Sequence, residues 1–516
     1  MEISSFVVIV ISALLLCPVR PDTLAAPRKS NCGIKLELSK RGLDYTNQVV
    51  TDLLVQEFRA TKVSDSMRKF AGGLFSLNNV RVTDITNPDS SYSLLGDNKV
   101  KWQFSGGQLK LNGDWSYFYR VLFAPVTVRG RATVTAYDFK IDLSAQLSKA
   151  SKTPHNQLQF IETSCRMSSG HLHVDLDGGS VLGTVLNWFR GLIANAVEPE
   201  LQSKVCAATL NMVNEYINGK LAGFPDRIPL SSTLHLDNSI EHGFPVVHKD
   251  AVVCEQSGRI QVTNHKPMTK LYADHLAPYK RRGEKMVNIY ISDVMLNSLF
   301  ENAHDSGQST LRLTSVNATD FPFMASECDK TAFCMTNLFP ELYNRSANID
   351  PLLVIKTLDP IRASITGTNN PLAKVLDQSS DRDQSTINGT VNLSLYLANR
   401  EGVVANTSAM LDVDMQIHAD LHPFIANEQS ERKIACVIKI VNTITKINAN
   451  HLQRANDQSM AVLLDYVLPM VETQINQILA RGVPIPWIDN VDFVHPRLTL
   501  LPHTAVIATD LVYITK

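Results

Sequence analysis

The sequence predicts an α+β protein built from two copies of one unit, in which a strand and a helix precede an antiparallel meander and a long helix. Two observations lead to this prediction. Apolar and polar residues alternate along segments that turn residues separate, and the same order of elements occurs twice. A chain of 516 residues also exceeds what one hydrophobic core usually organises, so at least two domains are expected.

The first copy shows clear changes of hydrophobic period. Its predicted elements are a strand at 34–38, a helix at 43–58, a meander over 80–143 and a second helix over 182–197. Within the meander the apolar parity changes near Ala136, which predicts one long strand bent by a β-bulge. Pro199 predicts a kink or interruption in the second helix, because proline lacks the backbone N–H donor.

The second copy follows the same order more loosely. Its predicted elements are a strand at 287–291, a helix at 295–300, a β region over 311–415, a long helix at 463–479 and a β tail over 491–513. Between the copies, the segment 224–247 holds three prolines and no helical period. We therefore expect an N-terminal domain over 27–223, a linker over 224–247 and a C-terminal domain over 248–516.

The N-terminus predicts export. An apolar run from Phe6 to Cys17 is too short for a membrane span but suits a signal-peptide core, and small residues favour cleavage after Ala25, giving a signal peptide over 1–25. Five N-glycosylation sequons follow, at Asn317, Asn344, Asn388, Asn392 and Asn406. No other segment has about 18 uninterrupted apolar residues. We expect a secreted, extracellular glycoprotein with peripheral rather than transmembrane membrane contact.

The net charge of −1 conceals an uneven distribution. Residues 27–228 carry 24 Lys and Arg against 18 Asp and Glu, and residues 229–516 carry 24 against 30. A basic N-terminal half favours an anionic partner such as a phospholipid head group, although a chance imbalance of surface charges explains it equally well. The near-neutral total argues against a nucleic-acid partner.

Seven cysteines remain after the predicted cleavage, and an exported protein is expected to pair most of them. None shows the Cys-x-x-Cys spacing of a zinc or redox site, so disulfides are the default interpretation. The odd number leaves at least one thiol over. Cys328 with Cys334 is the favoured local pair and Cys254 with Cys436 a long-range suggestion, which leaves Cys32 unpaired.

The sequence gives little support for metal binding or catalysis. Same-face positions of one predicted strand are occupied by His171, His173, Asp175 and Asp177. Neighbouring side chains on one strand seldom close a tetrahedral site, so we expect neither a metal nor another cofactor. No nucleophile elbow, zinc-protease motif or phosphate loop occurs, which argues against an enzyme. A secreted hydrolase assembled from distant residues stays open as an alternative.

Several stretches, in this order along the chain, resemble one known family. They are Gly33-Ile-Lys-Leu-Glu-Leu-Ser-Lys-Arg-Gly-Leu-Asp-Tyr45, Ser164-Cys165 followed by His171-Leu-His-Val174, Met286-Val-Asn-Ile-Tyr-Ile-Ser-Asp293, Gly482-Val-Pro-Ile-Pro486 and Asp510-Leu-Val-Tyr513. The chain resembles the family that contains bactericidal/permeability-increasing protein, lipopolysaccharide-binding protein and the plasma lipid-transfer proteins. The similarity covers essentially the whole mature chain.

The resemblance implies a boomerang-shaped tandem of two pseudo-symmetric barrels, each a twisted antiparallel sheet packed on two helices, joined by a central β-sheet. It also implies a disulfide between Cys165 and Cys206 and an apolar pocket for phospholipid acyl chains in each half. Candidate pocket residues on apolar helix faces are Val50, Leu54, Phe58, Leu464, Val467, Leu468 and Val471. Plain core packing is the alternative interpretation of each.

The tip of the first domain departs from the family pattern. In the bactericidal and lipopolysaccharide-binding members this tip is strongly basic, after the first helix and in a hairpin that follows a Trp. Here Arg59 and Lys62 remain at the first place, but the hairpin carries Arg120 as its only charge. Tyr117 and Phe118 are candidate membrane-interface residues. Alternatively, the hairpin is half buried against the barrel.

The resemblance implies a lipid-binding protein of innate defence that recognises lipopolysaccharide or other anionic microbial lipid surfaces, with antimicrobial activity as a family property. One alternative is extracellular transfer of the animal's own phospholipids or neutral lipids. The other is the hydrolase, which has no motif support.

Overall fold

The structure, a computed structural model, describes residues 32–60, 62, 65–70, 72–95, 99–121, 123–149, 158–177, 183–219, 226–239, 246–248, 251–263, 284–314, 322–324, 334–342, 349–366, 385–399, 404, 408–428, 431–452, 456–484 and 491–513. The predicted signal peptide over 1–25 and the sequons at Asn317, Asn344 and Asn406 lie outside these residues.

The predicted helices are confirmed. The longer ones are α1 (Lys40–Ala60), α2 (Gly183–Asn211), α3 (Asp293–Asp305) and α4 (Asp457–Leu479). α2 continues into a π-helical segment, Met212–Ile217, and short helical turns occupy Pro322–Met324, Met335–Leu338 and Pro340–Leu342. Pro199 does not interrupt α2, because the adjacent Val197 and Leu201 are almost fully buried in the core and hold both sides of the helix in place.

The strands are numbered in chain order. Before α3 they are β1 (Ile34–Ser39), β2 (Ser66–Phe70), β3 (Gly73–Ile85), β4 (Asp89–Leu95), β5 (Lys99–Ser105), β6 (Gln108–Val121), β7 (Ala124–Tyr137), β8 (Lys140–Lys149), β9 (Leu158–Ser168), β10 (His171–Asp177), β11 (Arg227–Pro229), β12 (Leu234–Asp237), β13 (Val246–His248), β14 (Ala251–Gln256), β15 (Arg259–Val262) and β16 (Val287–Ser292). After α3 they are β17 (Thr310–Leu313), β18 (Ile349–Thr357), β19 (Arg362–Ser364), β20 (Ser385–Asn399), β21 (Leu411–Glu428), β22 (Glu431–Asn450), β23 (Val483–Pro484), β24 (Val491–Leu501) and β25 (Thr504–Tyr513).

A central sheet joins the beginning, middle and end of the chain. Its strand order is β13-β14-β1-β16-β25-β24, and the pairings in it are antiparallel. β1 lies between β14 and β16 and is the strand that the N-terminal segment contributes. Ion pairs reinforce the junction at the carboxylate of Asp510 on β25. The Lys285 ammonium lies 2.7 Å from it, and the guanidinium of Arg41, at the start of α1, lies 3.7 Å from it.

The N-terminal half is built on two further antiparallel sheets, with strand orders β10-β7-β6-β3-β2 and β4-β5-β8-β9. The prediction of one long strand bulged near Ala136 is wrong. β7 ends at Tyr137, Asp138 adopts a left-handed conformation with φ of 51°, and β8 begins at Lys140 in the other sheet. The change in apolar parity therefore marks a turn between sheets, which Asp tolerates better than most residues.

The C-terminal half has a sheet in the order β17-β18-β20-β21-β22-β23, with β19 paired to β20. A smaller sheet, β11-β12-β15, takes two strands from the predicted linker, 224–247, and one from the chain beyond it. The limits of the linker and of the domains that it separates stay a prediction.

A long helix covers an exposed sheet edge in the same way in both halves. After α2, the Asn218 side chain accepts from the Phe160 N–H at 2.6 Å and donates to the Phe160 carbonyl at 3.0 Å. In α4, Asn476 makes the equivalent pair with Ile438 of β22, at 2.6 and 3.0 Å. An amide side chain thus replaces a neighbouring strand, and this shared device supports an origin of the two halves by duplication.

The cysteines divide into bridged and unbridged sets. Cys165 on β9 and Cys206 on α2 form a disulfide across 41 residues, and Cys334 is also disulfide-bonded, whereas Cys328 lies outside the described residues. The suggested pair of Cys254 with Cys436 is wrong, because both are buried thiols on different sheets. The thiol of Cys32 donates to the Ile34 carbonyl at 2.7 Å.

Within the described residues, no helix combines the length and the hydrophobicity that a bilayer crossing requires.

Candidate functional site

An apolar cavity of about 120 Å³ lies where the central sheet meets the C-terminal half. Ile291 and Ala505 contribute from the central sheet, α3 contributes Met295, Leu296 and Leu299, and Ile478 and Leu479 come from the end of α4. The opposite wall includes Leu421 and Cys436 of the long β21–β22 hairpin. Typical ligand pockets hold roughly 300–1,000 Å³, so a bulky ligand requires the walls to move.

The interior of this cavity carries no charge at neutral pH. Burial raises the pKa of Cys436 to about 12, which keeps its thiol protonated. The hydroxyl of Ser292 caps α3 by accepting from Val294 N–H, and Ser231 Oγ accepts from Leu234 N–H. The cavity therefore suits a hydrocarbon chain, because binding such a chain there removes no charged group from water.

A titratable pair lies next to one side of the cavity. Nδ1 of His503, in the turn between β24 and β25, is 2.8 Å from Oδ2 of Asp293 at the start of α3. Burial raises the pKa of Asp293 and outweighs the lowering effect of the contact with His503. The adjacent Ser292 and Ile365 line the cavity, so this pair fixes the start of α3 against the wall.

The helix-face residues predicted as pocket residues pack elsewhere. Val50, Leu54 and Phe58 of α1 are buried in the N-terminal core. Val467 and Val471 of α4 are buried in the C-terminal core, with Leu464 and Leu468 partly buried. None of these seven belongs to the residues that line the cavity described above. Contact of these residues with lipid stays a prediction.

The predicted tip hairpin is formed by β6 and β7. Tyr117 points into the barrel, is 9% exposed and stacks on Tyr119 with ring centroids 5.4 Å apart. A Cβ at Gly73 would lie 2.5 Å from the Tyr117 ring, so the close approach of β3 requires glycine there. Tyr117 is therefore not available at the surface, whereas Phe118, with the opposite orientation, is 38% exposed.

The strand register brings further residues beside Phe118. Phe118 pairs with Leu74 of β3, which pairs with Lys69 of β2, so the three share one face of the sheet. Met67 and Arg120, each two residues along a strand, lie on the same face and are exposed. Phe123, in the hairpin turn, is 97% exposed. We call Met67, Lys69, Phe118, Arg120 and Phe123 the outer tip surface.

Arg59 and Lys62 do not join the outer tip surface. The Arg59 guanidinium donates to the Ile85 carbonyl at 3.5 Å. The backbone of Lys62 pairs with that of Arg81 of β3 as an isolated antiparallel β-bridge. Arg81 lies seven residues along β3 from Leu74, the partner of Phe118, a path of roughly 23 Å at about 3.3 Å per residue. The residues predicted to form one anionic contact therefore occupy two places.

The outer tip surface contains residues that sequence reasoning missed. Met67 and Lys69 precede the hairpin by about 50 positions, and their place beside Phe118 depends on the pairing of β2 with β3 and of β3 with β6. Phe123 did carry a signal, because a large apolar residue in a hairpin turn has no core to enter.

Three of the four polar residues predicted on one face of the strand at 171–177 make local contacts. His171 stacks on Tyr137 with centroids 4.7 Å apart, and His173 Nε2 lies 3.1 Å from Asp175 Oδ1. In the described part of the chain, no three or more His, Cys, Asp or Glu side chains are grouped so that they could hold a metal ion.

The two described sequons differ sharply. Asn388 is exposed on β20, where its side chain contacts His418. Asn392 is 5% exposed, and its amide nitrogen donates to Asp412 at 2.7 Å and to Asp414 at 2.8 Å. A glycan replaces one of these amide hydrogens and has no room in a buried site, so the structure argues against the predicted modification of Asn392.

We therefore expect glycopeptide mass spectrometry of the chain, expressed in eukaryotic cells with its own N-terminus, to find Asn392 unmodified. Asn388 is the internal control, since it lies four residues away on the same strand and is exposed. Substantial glycan occupancy at Asn392 would show that the buried network of Asp412 and Asp414 is not the structure of the exported protein.

Comparison with known families gives two matches that together span most of the chain. The "LBP / BPI / CETP family, N-terminal domain" matches residues 42–216, and the "LBP / BPI / CETP family, C-terminal domain" matches residues 231–513. The chain is also 21% identical over 509 residues to a bactericidal permeability-increasing protein of Sebastes schlegelii, covering 96% of this chain and 98% of that protein.

A solved structure shows the same architecture. A crystal structure of lipopolysaccharide binding protein superposes with a TM-score of 0.58 at 14% identity, over 94% of this chain and all of that one. The likeness confirms the predicted fold class, a tandem of two halves of antiparallel sheet and helix with a central sheet. Takeout 1 of Epiphyas postvittana matches 34% of this chain with a TM-score of 0.22, too low to compare folds.

Proposed function

We propose a function from one premise: the chain belongs to the LBP / BPI / CETP family, whose members are non-enzymatic lipid-binding and lipid-transfer proteins. The proposed protein is secreted, holds acyl chains in apolar pockets and recognises lipopolysaccharide or other anionic microbial lipid surfaces in innate defence. Like the family members, it acts without catalysis.

The observation that carries the proposal is the outer tip surface. Phe118, Phe123 and Met67 offer exposed apolar area, and Lys69 and Arg120 lie beside them. Aromatic side chains partition into the interface between water and bilayer, and each nearby cation contributes about 1 kcal/mol of attraction to an anionic leaflet. Together these residues provide both anchoring and selection for negative charge.

The cavity supports the second part of the proposal. Its walls are uncharged and largely apolar, so an acyl chain gains on the order of 0.8 kcal/mol for each methylene that leaves water. A bilayer offers nearly the same free energy, and exchange between protein and membrane is therefore close to neutral and reversible. This balance is what a lipid-binding or lipid-transfer protein requires.

Transfer of host lipids remains the second candidate, because one feature of the tip favours it. Phe123 is almost completely exposed, and insertion of an aromatic ring stabilises contact with neutral membranes as well as with anionic ones. The two candidates differ in how strongly binding depends on the cations.

Vesicle binding separates them. We expect Lys69→Glu with Arg120→Glu to weaken binding to vesicles that contain lipid A or phosphatidylglycerol by about 2 kcal/mol, roughly 30-fold, at low salt. Binding to phosphatidylcholine vesicles should change little. Phe118→Ala with Phe123→Ala should reduce binding to both vesicle types, with little dependence on salt, because apolar insertion is not screened.

Arg59→Glu with Lys62→Glu is the matched control, since these cations lie away from the outer tip surface. If this control weakens anionic binding as much as the Lys69 and Arg120 variant, the anionic contact is not the one proposed. If the chain binds phosphatidylcholine and anionic vesicles alike and both charge reversals are silent, host lipid transfer is the better account.

A further inference from the structure

The cavity combines an uncharged interior with a cation at its rim. Among the described residues that line it, Arg481 is the charged one. Its side chain is exposed, and within the described part of the chain its guanidinium has no hydrogen-bond or ion-pair partner. The five N–H donors of Arg481 are therefore available to a ligand.

The backbone holds Arg481 in place at the rim. α4 ends at Leu479, and Gly482 then adopts a left-handed conformation with φ of 65°. A Cβ at Gly482 would lie 2.7 Å from the Ile434 carbonyl oxygen and 3.1 Å from the Lys433 Cβ, so this turn is pressed against β22. Arg481 is thus carried by a turn fixed between a long helix and a sheet.

We propose that this cavity accepts the hydrocarbon chain of a single-chain amphiphile with an anionic head group, and that Arg481 selects the anion. The inference rests on the proposed function, in which the cavity holds acyl chains. A guanidinium binds carboxylate and phosphate oxygens through paired charge-assisted hydrogen bonds, so a fatty acid and a lysophosphatidate share the required chemistry. At about 120 Å³ the cavity holds only part of one chain, so the walls must move to admit the rest and a second chain has no room.

A purely structural role for Arg481 predicts something different. A cation just beyond a helix C-terminus stabilises the helix by interacting with its dipole. That role makes an Arg481 substitution lower the melting temperature without changing the preference among ligands. The ratio of affinities for anionic and neutral ligands of equal chain length therefore isolates the recognition role.

The test uses the full chain and three ligands with the same 16-carbon chain, kept below their micelle concentrations: hexadecanoate, palmitoyl lysophosphatidate and monopalmitoylglycerol. Affinities are read by displacement of a fluorescent polyene fatty acid. We expect the unsubstituted protein to bind at least one of the two anions about tenfold more tightly than the neutral glyceride. Comparison of the two anions then distinguishes a carboxylate from a phosphate head group.

Arg481→Gln should bring this ratio close to one, and Arg481→Lys should retain part of it. Arg312→Gln, at an exposed arginine outside the cavity, is the matched control and should leave the ratio unchanged. Leu296→Trp, with folding checked by circular dichroism, should reduce binding of all three ligands because it fills the cavity.

The outcomes separate the two proposals. Equal affinity for neutral and anionic ligands, lost in Leu296→Trp, overturns the role of Arg481 and leaves acyl-chain binding intact. An anion preference that survives Arg481→Gln also overturns it. Absence of binding by all three ligands, or full binding by Leu296→Trp, contradicts the assignment of the cavity as an acyl-chain site.

Discussion

Glu37→Ala is expected to lower the free energy of unfolding by about 2–6 kcal/mol, because it leaves two buried hydrogen-bond donors without an acceptor at about 1–3 kcal/mol each. Glu37 is 1% exposed on β1, in the middle of the central sheet. Its carboxylate accepts from the Tyr290 hydroxyl at 2.8 Å and from the Asn288 amide at 3.1 Å. The ammonium of the buried Lys35 lies 4.1 Å from the centre of the Tyr290 ring.

Removing the Glu37 carboxylate deprives several buried groups of a favourable partner at once. The Tyr290 hydroxyl and the Asn288 amide lose their acceptor. Burial lowers the pKa of Lys35, and the negative charges of Glu255 and then Glu37 oppose this, so Lys35 loses the smaller of two favourable charges. β1 is the strand through which the N-terminal segment enters the central sheet, so the substitution destabilises the junction between the halves.

The expected loss is measurable by urea denaturation at pH 7, with Asp84→Ala, at an exposed carboxylate, as the control. Glu37→Gln should cost less than Glu37→Ala, because its amide oxygen still accepts from one of the two buried donors. A Glu37→Ala protein within 1 kcal/mol of the parent would show that this network contributes nothing to the junction.

The same carboxyl group predicts a dependence on pH. Burial raises the pKa of Glu37, and the hydrogen bonds from Tyr290 and Asn288 offset this only in part. The folded state therefore holds the proton more tightly than the unfolded state. The contribution of Glu37 to stability falls as pH rises from its ordinary value of about 4.5 through the raised pKa, and Glu37→Gln should lack this component.

Glu37 also shows where sequence patterns stop being informative. The alternation of polar and apolar residues over 34–38 predicts a half-buried strand, with Lys35 and Glu37 on its solvent-exposed face. The strand is confirmed, but Lys35 and Glu37 are buried. Their partners Asn288 and Tyr290 come from β16, about 250 positions away, and no local pattern encodes a polar network closed by a distant strand.

The candidate sites follow the same rule. Periodicity located α1 and α4 because a helix buries one face along consecutive turns. The cavity draws on Ile291, Met295, Leu421, Cys436 and Leu479, which lie on different elements, so its lining has no period. The family resemblance predicted that pockets exist, while the particular lining residues depend on how those elements pack.

Replacement of Cys165 and Cys206 together by alanine is expected to lower the free energy of unfolding by about 4 kcal/mol, the chain-entropy value for a loop closed across 41 residues. The bond joins β9, at the edge of the β4-β5-β8-β9 sheet, to α2. Asn218 and Asn214 also connect this helical segment with β9, through Phe160 and Thr163.

Cys254→Ala is the control, because it removes a buried thiol without opening a loop. Vesicle binding well below the melting temperature should survive loss of the disulfide, since the outer tip surface belongs to the sheet of β2, β3 and β6. Urea denaturation of the double variant measures the effect. A loss no larger than that of Cys254→Ala would mean that the Asn218 and Asn214 contacts hold α2 to β9 without the covalent bond, as Asn476 holds α4 to β22 in the other half.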